Sequence, residues 1–427
     1  MKKAEKVKVY KFGGASIRNA GAVRNMAEII GQESSPLVIV VSAMGKTTNA
    51  LEEILEKARN GQSCAEFWER VKNFHVSLVE ELFEKEERTV LNMLQELFCA
   101  FEKQLESLAP EYDEAYDQLV SFGELFSSAI VAAYLNSRGF LTEWVDARKY
   151  VKTDGTFRDG YVNWDMTGQL MRLNLPSVLE EKHVLTQGFI AGDVENHTVT
   201  LGREGSDFTA AVFASCLQAS EVTIWKDVAG IMNADPKRVA ATVKYDELSY
   251  REAAEMTFYG ASVIHPKTIK PLANKKIPLW VRSFESPEER GTVIKELPEH
   301  QELPEAIIFK DRQTLVSFKA KDLSFLHEQA LGKLFKLFTR HHIRINLLQN
   351  TAISLAVCFD SDQDKVLRML DGLREEFEIQ VIDGLQLVTV KNYRGKNLLR
   401  GLKKEDVLLE QKTLTDYQFI IREEMKS

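Results

Sequence analysis

Five short stretches gather residue types that handle phosphate or carboxylate groups. In "YKFGGAS", Lys11 precedes Gly13 and Gly14. Glycines let backbone N–H groups approach a polyphosphate because no Cβ intervenes. A lysine at the carboxyl end of a strand points into the crevice where α/β proteins bind ligands. The order reverses the common phosphate loop, in which lysine follows the glycines, so an ordinary strand and turn is the alternative. "VVSAMGKTTN" ends an apolar run in Ser42 and Thr48. These suit a small polar substrate, or a helix start capped by Thr48 or Asn49. "SFGELFSS" sets Glu124 at a helix start, where a carboxylate either complements the dipole or receives a substrate ammonium. "TLGREGSDFTAA" brings Arg203, Ser206 and Asp207 onto one glycine-rich turn before an alanine-rich helix. Arginine clamps carboxylates through paired hydrogen bonds, and a helix start receives anions. Asp207 is then an N-cap or a functional carboxylate. "WKDVAGIMNADPKRV" ends a strand at Lys226 and Asp227, with Lys237 beyond the loop. Lysines flanking such a loop can hold nucleotide phosphates or base edges; the alternative is a plain turn built by "ADPK".

The elements that must position these residues alternate. "LVIVVSA", "VLTQGFI", "EVTIWKDV" and "IPLWVRS" read as buried strands, and "SSAIVAAYLNSRG" as a helix stopped at Gly139. That alternation predicts an α/β layered domain with a mostly parallel sheet over residues 1–295. Residues 49–118 break it: Leu51, Ile54, Leu55, Ala58, then Phe67, Val71, Phe74, Leu78 and Leu82 keep helical spacing. They predict a helical insertion with a solvated charged face. Prolines 287, 298 and 304 among charged residues mark a linker. From residue 303 the pattern changes. "TLVSFKA", a helix over 328–342, "AISLAVCF" and a helix over 363–376 are followed by "QLVTVKN", which echoes the first strand. A further short helix and the strands "VLLEQKT" and "YQFIIRE" complete the chain. Two copies of a small strand–helix–strand unit are expected, the second shorter.

The 427 residues carry 55 Lys and Arg against 63 Asp and Glu, a net charge of −8. This balance argues against a nucleic-acid binder. Cys64, Cys99, Cys216 and Cys358 form no C-x-x-C pair, so no metal site is expected and the thiols read as reduced in a cytoplasmic protein. No apolar run approaches the roughly 20 residues of a membrane span, and no signal peptide is evident.

In their order, "KFGGAS", "VVSAMGKTTN", "FGELFSS", "TQGFIAG", "TLGREGSD", "WKDVAGIMNADPKRV" and "YGASVIHPKTI" resemble the aspartate kinases of the amino-acid kinase family, over nearly the whole chain. Residues 303–427 resemble the tandem α+β, ferredoxin-like ACT domains of that family. The resemblance implies transfer of the γ-phosphoryl of ATP, with Mg²⁺, to the side-chain carboxylate of L-aspartate. The product is 4-phospho-L-aspartate, on the route to lysine, threonine, methionine and isoleucine. It implies Lys11 at the transferring phosphoryl, Gly13 and Gly14 at the phosphates, and Asp207 organising the centre. Thr48, Glu124 and Arg203 would hold aspartate, with Ser42 and Ser206 nearby. Lys226, Asp227, Met232, Lys237 and Ser262 would line the nucleotide pocket. A homodimer through the ACT domains, an amino-acid effector there, and no membrane or nucleic-acid partner complete the expectation. The nucleophile is a carboxylate with an ordinary pKa of about 3.9, so no general base is needed; the task is to bring anions together and stabilise spread charge.

Several positions depart from the family pattern. Ala15 stands where threonine is common, Glu204 where glycine is usual, Lys226 for threonine, Met232 for tyrosine and Lys237 for arginine. Ser262 replaces a nucleotide-contacting lysine, which Lys226 is expected to replace in turn. Asn346 and Ala352 replace the aspartate and glutamate of the effector segment, so weak inhibition by lysine or a different effector is expected. Two rivals stay open: a kinase with a glutamate-type acceptor, and a catalytically weakened ACT-domain amino-acid sensor.

Overall fold

A computed structural model describes residues 6–84, 87–239, 241–261, 264–298, 303–322, 325–362, 366, 369–370, 373–395 and 406–423. The chain divides into two compact units. The first is Met1–Ile231 with Lys244–Ala254 and Val263–Glu299; the second is Met232–Val243 with Glu255–Ser262 and His300–Ser427.

The first unit holds strands β1 (Lys8–Phe12), β2 (Leu37–Val41), β3 (Thr142–Val145), β4 (His183–Gln187), β5 (Ile190–Gly192), β6 (Thr198–Thr200), β7 (Glu221–Lys226), β8 (Glu247–Ser249), β9 (Leu279–Ser283) and β10 (Thr292–Lys295). Eight of them form one sheet in the order β3-β4-β2-β1-β7-β9-β10-β8. Every neighbouring pair is parallel except β9 with β10. Parallel strands are covered on both faces, which is why β2 reads as five consecutive apolar residues and buries all of them. The run "VLTQGFI" is not one strand. β4 ends at Gln187, the chain turns through Phe189 at φ 67°, and it resumes as β5, hairpin-paired with β6.

Twelve helices accompany these strands among the described residues: α1 (Ala20–Gly31), α2 (Thr47–Arg59), α3 (Ala65–Leu82), α4 (Glu87–Glu106), α5 (Tyr112–Val120), α6 (Phe122–Ser137), α7 (Ala147–Tyr150), α8 (Trp164–Asn174), α9 (Pro176–Leu179), α10 (Gly205–Leu217), α11 (Tyr250–Tyr259) and α12 (Pro266–Lys275). α3 and α4 bury one apolar stripe each, with Val90, Leu94, Phe98 and Phe101 at helical spacing on α4. Trp68 stacks on Phe101 at 4.2 Å, and Phe98 packs edge-on against Phe126 of α6 at 5.2 Å. α6 and α10 are apolar nearly all round because they are enclosed on all sides. Tyr112–Ser137 is the one stretch of helix among the described residues long and apolar enough to cross a membrane, yet 83% of its apolar window is buried. It is a core helix.

The second unit contains a six-stranded antiparallel sheet from β11 (Ala306–Ala320), β12 (Ile345–Asn350), β13 (Ser354–Asp360), β14 (Phe377–Lys391), β15 (Val407–Lys412) and β16 (Asp416–Arg422), with α13 (Glu328–Arg340) after β11. Its order is β12-β13-β11-β14-β16-β15. The expected helix over 363–376 and the short one after 392 fall largely outside the described residues. The register carries an internal twofold. Leu315 pairs with Ile382 and Lys310 with Leu387; Phe318 pairs with Ile379 and Ile307 with Val390. Each partner is its counterpart displaced by 72 residues (315 to 387, 310 to 382). The outer strands repeat likewise, Leu347–Cys358 answering Leu409–Ile420, and the register shift at Ile345/Leu347 recurs at Val407/Leu409. Here the displacement is 62 residues (347 to 409, 358 to 420). The echo between "TLVSFKA" and "QLVTVKN" is this symmetry, and the second copy is ten residues shorter between its strands. β11 and β14 are each 15 residues long, twice the length the apolar pattern suggested. Their first halves, "AIIFKDR" and "FEIQVIDG", mix charged residues into the strand.

Candidate active site

The sheet of the first unit has a topological switch at β1. The chain leaves β1 towards β2 on one side and returns with β7 on the other. Open α/β sheets bind ligands beyond the carboxyl ends of the strands at such a point. Lys11 sits one residue from the end of β1 and Lys226 ends β7. Phe12 and Trp225, paired across the two strands, stack at 6.0 Å. Ser16 donates to the Trp225 carbonyl at 3.2 Å. The two strand ends are thus fixed relative to each other.

Asp207 bridges the switch. It lies in the first turn of α10, not at its cap; the N-cap is Glu204. Its carboxylate pairs with the Lys11 ammonium at 2.6 Å and the Lys226 ammonium at 3.5 Å. Burial opposes its ionisation, but the two ammonium groups override that and hold its carboxyl below the usual range. Gly14 is glycine because backbones cross there: a Cβ would stand 2.7 Å from the Ala43 carbonyl. Its own carbonyl accepts from the Gly45 N–H at 3.1 Å, and a Cβ on Gly13 would stand 3.3 Å from the Lys11 ammonium. α2 is capped by Lys46 and begins at Thr47, so neither Thr48 nor Asn49 is its cap.

Glu124, in the first turn of α6, is only 2% exposed. One carboxylate oxygen accepts from the Ala43 N–H at 3.2 Å; the other is buried without a partner. Burial pushes its pKa up to about 8, and the Ala43 N–H and the Lys11 charge only partly offset that.

A cavity of about 500 Å³ gathers these groups. Lys11, Ser42, Thr48 and Glu124 line one part; Arg203, Ser206, Asp207 and Lys226 line another. Asp227 is exposed and does not line it, and Ala15 is exposed as well. Met232 and Lys237 belong to the second unit, where the Asp235 side chain accepts from the Lys237 N–H at 2.9 Å, a turn built by "ADPK" itself. Ser262 lies outside the described residues.

Residues 6–283 match the model of the amino acid kinase family. Lysine-sensitive aspartokinase 3 of Escherichia coli is 32% identical over 391 residues, 90% of this chain and 86% of that protein. The chloroplastic aspartokinase 1 of Arabidopsis thaliana is 31% identical, with 94% and 72% covered. The structure of E. coli aspartokinase III in complex with aspartate and ADP superposes with a TM-score of 0.83 at 29% identity, covering 98% of this chain and 96% of that one. The chain belongs to the aspartokinases of the amino acid kinase family. It is an ATP-dependent kinase acting on aspartate, and its antiparallel C-terminal sheet matches the regulatory region of aspartokinase III.

The cavity also contains residues that sequence reasoning passed over. Arg158, Tyr116, Phe189 and Thr200 line it, beside Glu204, one of the departures from the family pattern. Buried Asp117 of α5 ties two of them together. It accepts from the Arg158 N–H and the Thr200 N–H, each at 2.8 Å, and from the Thr200 hydroxyl at 2.6 Å. The Arg158 guanidinium lies over the Tyr116 ring at 4.2 Å. Arg158, Phe189 and Glu204 all hold left-handed backbone, at φ 63°, 67° and 53°, a conformation costly for any residue with a Cβ. Glu204 is tied down by its carboxylate, which accepts from the His265 N–H at 2.8 Å. Nothing in "TFRDG" signalled Arg158: a charged turn before glycine reads as solvated loop. Among the described residues no group of three or more His, Cys, Asp or Glu side chains is arranged to hold a metal ion.

Proposed function

We propose that this aspartokinase transfers the γ-phosphoryl of ATP to the side-chain carboxylate of L-aspartate, giving 4-phospho-L-aspartate, in the pocket around Lys11. The observation that carries the assignment is the pairing, within one cavity, of a buried and half-satisfied carboxylate with a carboxylate-bridged pair of lysines. Glu124 receives the α-ammonium of aspartate: its empty oxygen gains a partner and its charge a counter-ion. Arg203, with Arg158, takes the α-carboxylate. Thr48, Ser42 and Ser206 complete the polar contacts. The acceptor carboxylate, already ionised, attacks the γ-phosphorus as the bond to the β-phosphate oxygen breaks and ADP leaves. Lys11 and Lys226 neutralise the charge spread over the transferring oxygens, and Asp207 holds the two ammonium groups in register. No side chain accepts a proton.

Mg²⁺ enters as the metal complex of ATP, held mainly by the phosphates. The double pairing of Asp207 with Lys11 and Lys226 supports this. Gly13 and Gly14 give the phosphates backbone access; Lys226 and Asp227 are the proposed nucleotide contacts within the first unit, with Lys226 supplying the charge that Ser262 lacks. An ATP affinity unaffected by Lys226→Ala would sink that substitution of roles.

The C-terminal region is proposed to be a tandem ACT pair; the displaced registers of β11–β14 and of their outer strands support it. A homodimer through this region and a cytoplasmic location follow from the resemblance. Inhibition by lysine is proposed to be weak. Asn346 bonds Lys310 at 2.8 Å, Gln313 at 2.7 Å and Asp360 at 3.0 Å, and Lys310 pairs with Asp360 at 3.0 Å. The chain's own ammonium thus occupies the nearby acceptors. The deciding assay is aspartyl hydroxamate formation from ATP, Mg²⁺ and aspartate. Turnover with glutamate instead, or amino-acid binding without turnover, would overturn the assignment.

A further inference from the structure

A second cavity of about 860 Å³ opens in the first unit between the loop Arg158–Trp164 and α12, with Phe208 and Ser215 of α10 also lining it. It is larger than the acceptor pocket and lies within the range of small-molecule sites. Its lining has two characters. One is aromatic. Tyr161 is 65% exposed and Trp164 42% exposed, and Trp164 meets Phe208 edge-on at 6.2 Å. The other is cationic: Arg158, Arg203, Lys267, Lys270 and Lys275 line it, against one carboxylate, Asp159. Asp159 is already engaged by Lys267 at 2.7 Å, and Lys267 also lies 5.0 Å over the Phe208 ring. Arg203, Lys270 and Lys275 have no ion-pair partner among the described residues. Lys267 and Lys270, three apart on α12, project from one helix face.

We propose that this cavity is a ligand site for a small aromatic anion, a flat ring carrying a phosphate or carboxylate. A neutral ring would leave the cations uncompensated; an anion without a ring would leave Tyr161 and Trp164 in water. A ligand with both features covers the rings and supplies the missing charge. The cavity shares Arg158, Gly202 and Arg203 with the acceptor pocket. Occupancy therefore draws on the guanidinium groups assigned to the α-carboxylate of aspartate and raises KM for aspartate. That second clause rests on the proposed role of the arginines; the binding itself does not.

The test is calorimetric titration of the full-length enzyme, its nucleotide site first saturated with ADP. AMP and 8-anilinonaphthalene-1-sulfonate serve as aromatic anions, adenosine and inorganic phosphate as the separated halves. One-to-one binding of at least one aromatic anion is expected, at least tenfold tighter than either half. Trp164→Ala and the double variant Lys270→Glu/Lys275→Glu should each weaken it tenfold or more, with kcat and KM for ATP within twofold of the parent. The lysine variant changes exposed residues only and keeps the test valid if Trp164→Ala misfolds. Absence of saturable binding by both probes overturns the proposal, as does equal binding of adenosine, or affinity unchanged in the lysine variant. At saturating ATP, a probe that binds should raise KM for aspartate in the parent and not in the lysine variant. Binding without that rise would remove the arginine coupling and leave the site.

Discussion

The two units bury charge in opposite ways. In the first, charges collect at one edge of a parallel sheet and are left incomplete: Glu124 has an empty oxygen, and Asp207 serves two lysines at once. In the second, charges are spread through an antiparallel sheet and mostly closed upon one another, with one Asp416 oxygen left buried without a hydrogen bond. Lys391, 3% exposed, pairs with Glu255 at 2.5 Å, and Lys310, Asn346, Gln313 and Asp360 form a complete network. Burial alone would raise the Asp360 carboxyl, but bonds from Gln313 and Lys310 hold it low. A buried charge with an open valence costs stability and persists where a ligand completes it; a closed one belongs to the fold.

Substitutions can break this contrast, and the largest effect is expected at Lys11. Lys11→Met should lower kcat by about 10³-fold, the scale of losing a preorganised stabiliser of transition-state charge; a shift in thermal stability without a fall in kcat would class Lys11 with the closed charges. Glu124→Gln should raise KM for aspartate about 30-fold, as expected for losing a charge-assisted bond of about 2 kcal/mol. The same residue sets a pH dependence. Its folded pKa of about 8 lies above the ordinary 4.5, so the folded protein retains a proton that the unfolded chain releases. The resulting stabilisation is complete below pH 4.5 and lost as pH rises through about 8. Aspartate binding needs the ionised form, so KM for aspartate should fall roughly tenfold per unit as pH rises towards 8. Steady-state profiles should show that slope in the parent and none in Glu124→Gln.

Arg158→Gly should raise KM for aspartate about tenfold while leaving the melting temperature unchanged or higher, because glycine relieves left-handed backbone worth about 1 kcal/mol. An unchanged KM would make Arg158 a structural residue. The smallest catalytic effect is expected from Lys391→Met in the second unit: kcat within twofold, with a loss of about 3 kcal/mol on denaturant unfolding, since half-exposed Glu255 can rehydrate but largely buried Asp416 loses its ammonium partner.

Lys11, Glu124, Arg203 and Asp207 were legible because each lies where a strand or helix pattern breaks, and those breaks fall at one edge of a parallel sheet. Arg158 and Asp117 were not legible. Their roles depend on a carboxylate of α5 reaching loops more than 40 positions away, and no local pattern encodes such a bond. In the second unit the apolar halves of β11 and β14 stood out, while their first halves hid behind charges that pair across the sheet. Tyr112–Ser137 shows the opposite case. Its composition alone makes it apolar enough to pass for a membrane span, and only the fold shows that 83% of that window is buried.

That helix has a consequence for synthesis. Its hydroxyls are met from both directions along the chain: Ser127 donates to the Ser42 carbonyl, already made, whereas Ser128 accepts from Trp144 and Gln187, still to come. At 5–20 residues per second, residue 187 emerges about 3–10 s after residue 137. For those seconds the nascent chain displays a long apolar helix with half its shelter missing. The helices α2–α4, completed earlier, pack against its α6 portion. Those contacts are expected to shelter one face of α6 until the sheet closes over the other.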